Sequence, residues 1–113
     1  MASYALLQLG DGTMSGHQVL SAEMMAELHR ARIAVGTDWT PAALTEDLHY
    51  GLGWFTADVR GVHLVFHNGA NPGYRAAIVL APSAKAAVVI LTNGESDRFT
   101  DTAAQSLIRQ LLN

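Results

Sequence analysis

The chain has 113 residues, enough for one core and too few for two. Half of them are hydrophobic and 15% charged, a globular rather than a disordered composition, and the net charge of −3 comes with a single lysine, Lys85, and six scattered arginines. No basic patch marks a nucleic-acid surface, the lack of cysteine excludes disulfides, thiolate nucleophiles and cysteine metal sites, and no apolar run approaches the roughly 20 residues that span a bilayer.

The start, Met1-Ala2-Ser3-Tyr4-Ala5-Leu6-Leu7, is apolar, but no basic residues precede it and it runs into Gly10-Asp11-Gly12. It does not read as a signal peptide, and the chain reads as soluble, with its compartment left open. Residues 2–9 suit a short helix that ends at the turn formers Gly10-Asp11-Gly12-Thr13. Ser21 is an N-cap for a helix predicted from Ala22 to about Ile33, with Met24, Met25, Leu28 and Ala31 on one face and Glu23, Glu27 and Arg30 opposite. Residues 34–48 hold Gly36, Thr37, Asp38 and Pro41 and read as a surface connection, with one helical turn at Ala42–Asp47.

From Tyr50 the period changes to that of a strand. Leu52, Trp54 and Thr56 alternate with Gly53, Phe55 and Ala57, Arg60-Gly61 offers a turn, and Val62 to Phe66 returns as the second strand of a hairpin. Tyr74 to Ala81 and Ala86 to Leu91 are apolar runs joined by Pro82-Ser83-Ala84-Lys85, which predicts two antiparallel strands buried on both faces. From about Arg98 to Leu112 a helix places Phe99, Ala103, Leu107 and Leu111 on one stripe, broadened by Ala104, Ile108 and Leu112, with Ser96 or Asp97 as its cap. The expected fold is α+β within a single domain, 1–113. Residues 1–47 are mostly helical, and 48–113 form an antiparallel sheet of about four strands with the terminal helix on one face.

Three arrangements bear on chemistry. His63 and His67 are four apart, the spacing of a helical zinc pair, but on a strand that spacing separates the rings by about 13 Å. With no further ligand beside them, neither a metal nor any other cofactor is expected. Ser3, Ser15, Ser21, Ser83, Ser96 and Ser106 are the available hydroxyl nucleophiles, yet none lies in a G-x-S-x-G elbow or has lysine three residues on; Ser83 reads as a turn serine. The third is His67-Asn68-Gly69, followed by Ala70-Asn71-Pro72-Gly73-Tyr74. Asn-Gly is a favoured hairpin turn, with Pro72-Gly73 as a second bend. Alternatively, Gly69 lets a ligand approach the backbone while His67 and Asn68 present donors to an anion or carbonyl.

The order of motifs around that tripeptide carries more than each motif alone. Val19-Leu20-Ser21-Ala22-Glu23 leads a helix, then come Tyr50-Gly51-Leu52-Gly53-Trp54, His67-Asn68-Gly69 with Pro72-Gly73-Tyr74, and Val88-Val89-Ile90-Leu91-Thr92-Asn93. Together they resemble the C-terminal part of the serine beta-lactamase and penicillin-binding-protein-like superfamily, in particular its class C beta-lactamase, D-aminopeptidase and family VIII esterase branch. The resemblance extends over essentially the whole chain. It implies a cleft between a helical region and an antiparallel sheet, one wall carrying a Lys/His-Thr/Ser/Asn-Gly triad on a strand. On that resemblance His67 would set electrostatics and proton positions, Asn68 would hydrogen-bond the substrate carboxylate or carbonyl, and Gly69 would leave room for the acyl group. The backbone N–H of Ala70 would be one of two oxyanion-hole donors.

The family's Ser-x-x-Lys nucleophile motif and its Tyr-x-Asn or Tyr-x-Ser are not in this sequence: Tyr4, Tyr50 and Tyr74 are followed by Ala5-Leu6, Gly51-Leu52 and Arg75-Ala76. In the family both lie N-terminal to the part represented here. The resemblance therefore implies a fragment of a serine hydrolase, acting on a small-molecule ester, amide or lactam only together with an N-terminal part, and inactive alone. It also implies relatives that are often periplasmic or secreted. The alternative is a non-catalytic binding or self-assembly module that uses an exposed sheet face or edge as its interface.

Overall fold

A computed structural model describes residues 1–36, 47–111 and 113. Helix α1 (Ala2–Leu9) is followed by a small ribbon of β1 (Thr13–Met14) and β2 (His17–Gln18), then by helix α2 (Ala22–Leu28). Strands β3 (Ile33–Ala34), β4 (His49–Tyr50), β5 (Phe55–Val59), β6 (Val62–Asn71), β7 (Tyr74–Ala81) and β8 (Ala86–Thr92) form one antiparallel sheet in that order, and helix α3 (Asp97–Leu111) closes the chain. The sheet thus holds the four long strands expected and two short ones beside them. The proposed helical turn at Ala42–Asp47 falls almost wholly outside the described residues.

Ser21 caps α2 as expected, its hydroxyl accepting from the Met24 N–H at 3.1 Å. The helix ends at Leu28 rather than near Ile33, and Ile33-Ala34 pairs instead with His49-Tyr50. β-Branched Ile33 and Val35 suit that ladder, where the Val35 N–H donates to Leu48 O at 3.0 Å. The Arg30 carbonyl lies so close to Gly51 that a Cβ there would stand 2.4 Å from it, so only glycine fits. A turn at Gly51–Trp54, closed by the Gly51 N–H on Trp54 O at 2.8 Å, also divides the predicted strand from Tyr50 to Ala57 into β4 and β5.

Two cores sandwich the sheet. On one face Leu64, Phe66, Ala57, Ala77, Val79 and Ala81 pack with Ala104 and Ile108 of α3; on the other Val65, Ile78, Leu80 and Trp54 pack with Ala5 of α1. The buried stripe of α3 is Thr100, Ala104 and Ile108, whereas Phe99 is 61% exposed and Leu107 is exposed as well. The amphipathic stripe is therefore rotated from the expected Phe99-Ala103-Leu107 line towards its broadening residues, and Ser96 caps the helix by accepting from the Phe99 N–H at 3.1 Å. β8, expected to be buried on both faces, is half-buried: it is the outer strand of the sheet, and Leu91 near its end is 63% exposed. No described helix is long and apolar enough to cross a membrane.

Candidate functional site

Two-residue turns fix β6 at both ends. Arg60 (φ 51°) and Gly61 (φ 78°) join Val59 to Val62, and Pro72 with Gly73 (φ 81°) joins Asn71 to Tyr74. Asn68 pairs with Ala77 and Gly69 with Ala76, both inside the ladder, so the hairpin-turn reading of Asn68-Gly69 gives way to Pro72-Gly73 as the turn. In that turn proline presets φ at the first corner and Gly73 takes the positive φ at the second.

Antiparallel pairing makes alternate residues direct their N–H and C=O groups to opposite sides. Counted from either turn, Val65, His67, Gly69 and Asn71 face β7, while Leu64, Phe66, Asn68 and Ala70 face the β5 side. Strand β5 ends with the Phe55–Phe66 pair. From His67 to Asn71 that edge therefore meets no strand among the described residues, and the backbone groups of Asn68 and Ala70 lie along it.

His67 sits where the cover ends. The Asn68 carbonyl, an acceptor only, lies against Nδ1, so Nδ1 carries the proton; Nε2 then accepts from the Tyr50 hydroxyl at 3.1 Å. Ring contacts hold the imidazole in place, with centroids 5.4 Å from Phe55 and 5.9 Å from Tyr50, and Phe55 stacks on Phe66 at 5.5 Å. Asn68, Gly69 and Ala70 are exposed. Gly69 has no positive φ, and a Cβ built on it would make only an ordinary contact, 3.8 Å from the Ala76 Cβ. Neither backbone geometry nor packing in this chain demands glycine there, although glycine weakens a strand interior.

The tripeptide borders three hollows. One of about 530 Å³ is lined by Ile33, Val35, Tyr50, Phe55, His67 and Asn68. Another, about 610 Å³, lies over Gly69, Asn71, Tyr74, Ala76 and Leu91, and a small one of about 110 Å³ separates Asn68, Gly69 and Ala70 from Asp97 and Asp101 of α3. Burial and the neighbouring Asp97 raise the pKa of the Asp101 carboxyl. On the α1 face of the sheet His29 donates to Gln8 Oε1 at 2.6 Å and meets Trp54 edge-on; burial lowers its pKa against the pull of Asp11.

The other sequence candidates stand apart. His63 pairs with Asp58 at 3.0 Å, so the two histidines of β6 have separate partners, and no three metal-ligating side chains converge among the described residues. Ser21 and Ser96 cap helices, Ser15 lies in the β1–β2 turn and Ser83 in a single 3₁₀ turn at Pro82–Ala84. Tyr50, Arg75, Glu95 and Asp97 were not foreseen around the tripeptide. Tyr50 was readable only once Gly51 and Gly53 were taken as a turn that folds it back over Phe55.

The structure of the octameric penicillin-binding protein homologue from Pyrococcus abyssi is similar to this chain, with a TM-score of 0.69 and 22% identity over 95% of this chain and 23% of that one. The chain thus spans about a quarter of its neighbour's length, and the likeness is one of fold. Among curated proteins none matches the sequence. The Beta-lactamase family model matches residues 1–113, and the chain belongs to that family.

Proposed function

We propose that the open stretch of β6 is one wall of an acyl-transfer cleft in a serine hydrolase of the beta-lactamase, D-peptidase or esterase type. The observation that supports this best is Gly69, a glycine that the fold does not require, between Asn68 and Ala70 on a strand edge that meets no further strand among the described residues. In this reading the Ala70 N–H is an oxyanion donor, Asn68 binds a substrate carbonyl or carboxylate, and Gly69 admits the acyl group. His67, with the Asn68 carbonyl at Nδ1 and the Tyr50 hydroxyl at Nε2, sets the proton arrangement at the mouth of the cleft. The nucleophile and its base come from an N-terminal part of the same fold, because this sequence has no Ser-x-x-Lys.

Adding benzylpenicillin to the ¹⁵N-labelled chain should shift the amides of Asn68, Gly69 and Ala70 selectively. Nitrocefin and p-nitrophenyl esters should not be hydrolysed above buffer. Absence of any shift at millimolar ligand, or turnover that disappears in His67→Ala, would overturn the reading.

A second reading, self-association through the sheet, is favoured by Tyr74 and Leu91, each 63% exposed beside the larger hollow. The octameric assembly of the structural neighbour points the same way. Light scattering that returns a monomer at high concentration would count against it.

A further inference from the structure

We propose that Arg75 is a positioning residue for the open stretch of β6, an inference that rests on the reading of that stretch as a cleft wall. Arg75 lies directly across the ladder from Ala70. Its side chain is only 18% exposed although the hairpin tip around it is open to solvent. The guanidinium makes three links: Nη1 donates to the carbonyls of Asn71 at 3.0 Å and Tyr74 at 2.9 Å, and Nε donates to the Asp97 carboxylate in the first turn of α3. A second tie runs in parallel, with the Gly73 N–H donating to Glu95 Oε1 at 2.7 Å.

These ties fall where the sheet gives least support. Beyond Phe66 β6 keeps only β7, and beyond Arg75, which pairs with Thr92, β7 loses β8. What remains at the tip is a two-stranded ribbon, marginal by itself in water. Arg75 and Glu95 fasten that ribbon to the start of α3, so the direction of the Ala70 N–H is set by the helix rather than by the turn alone. A planar fork can hold two carbonyls and a carboxylate together; a lysine ammonium reaches fewer of them.

Amide hydrogen exchange on the full chain tests this. In Arg75→Ala the closing-pair amides of Asn71 and Tyr74 should exchange roughly tenfold faster or more, with a smaller gain in Arg75→Lys and in Glu95→Gln, while the core amides of Val65 and Leu80 stay at wild-type rates. Unchanged tip exchange overturns the proposal, and so does an equal acceleration at Val65 and Leu80, which would make Arg75 a general stabilising residue. If Arg75→Ala does not fold, Arg75→Lys and Glu95→Gln decide by the same two rates. The site is read separately through the Ala70 amide in a benzylpenicillin titration. A shift present in wild type and at least halved in Arg75→Lys supports positioning, and a shift retained with a loosened tip overturns it. No shift in wild type sinks the cleft reading itself, and the exchange rates then still decide whether Arg75 holds the hairpin.

Discussion

Tyr50 and His67, seventeen residues apart, meet through a hydrogen bond of 3.1 Å from the phenol to Nε2, at the point where β6 runs out from under β5. The contact selects one tautomer of a histidine that has the Asn68 carbonyl at its other nitrogen. Tyr50→Phe should therefore shift the tautomer balance towards the Nε2–H form, seen in the imidazole ¹⁵N shifts. It should also cost about 1 kcal/mol of stability, the usual net value of one hydrogen bond. Unchanged ring shifts would show that the phenol does not set the tautomer.

Gly69 and Gly73 predict opposite responses to the same substitution. At Gly73 (φ 81°) nothing within 4 Å would obstruct a methyl group, so Gly73→Ala tests backbone conformation alone and should destabilise by about 1–2 kcal/mol in urea unfolding. At Gly69 the methyl makes an ordinary contact, and Gly69→Ala should leave stability unchanged or raise it by about 0.5 kcal/mol, yet abolish the benzylpenicillin response. Loss of stability at Gly69 would mean that the fold, not a ligand, requires this glycine.

Leu80 is completely buried between Ala5, Trp54 and Val65 on the α1 face. Leu80→Ala should cost about 2–5 kcal/mol, transfer and cavity contributions together, read as a lower urea midpoint at constant slope. A cost below about 1 kcal/mol would show that this face is loosely packed.

His29 gives the chain a pH dependence of definite sign. Burial lowers its pKa below the ordinary 6.5, so the unfolded chain takes up a proton first as the pH falls. Stability should decline from about pH 6.5 downwards until the folded-state pKa is passed, and His29→Gln should flatten that decline. Asp101 acts in the opposite sense at lower pH: its raised pKa means that the folded chain binds its proton first, which adds stability as the pH falls towards 3.8. Unfolding curves at pH 7.5, 6 and 5 for wild type and His29→Gln separate the two, and an unaltered slope in the variant would refute the assignment to His29.

Much of the architecture was legible because local signals and tertiary packing agree. The capping serines, the Arg60-Gly61 turn and the apolar runs of β7 and β8 fall where residue type predicts. Disagreements arose where a residue's role depends on something distant in sequence. Ile33 continues a helical pattern and becomes a strand because His49 and Tyr50 offer it a ladder. Phe99 belongs to the apolar stripe of α3 by spacing, yet the face that packs with Phe66, Ala77 and Val79 is that of Ala104 and Ile108, and the buried residue of the first turn is Thr100. The tripeptide was visible as a candidate, but its strand register was not, since Asn-Gly and Pro-Gly are both turn formers and only their competition within one hairpin decides. Arg75 gave no sequence signal at all: its three partners are the two residues that flank the Pro72-Gly73 turn and Asp97 at the start of α3.

β6 has ten residues, and its first bonds to β5 while its last bonds to β7. Because successive residues bond to opposite sides, those two assignments are compatible only if the strand length is even. Homologous strands should thus differ in length here by pairs of residues, and a single insertion or deletion between the two turns would require a compensating bulge or swap the sides to which Asn68 and Ala70 are turned. The parity of one strand, more than the identity of any side chain on it, decides which amides the wall presents.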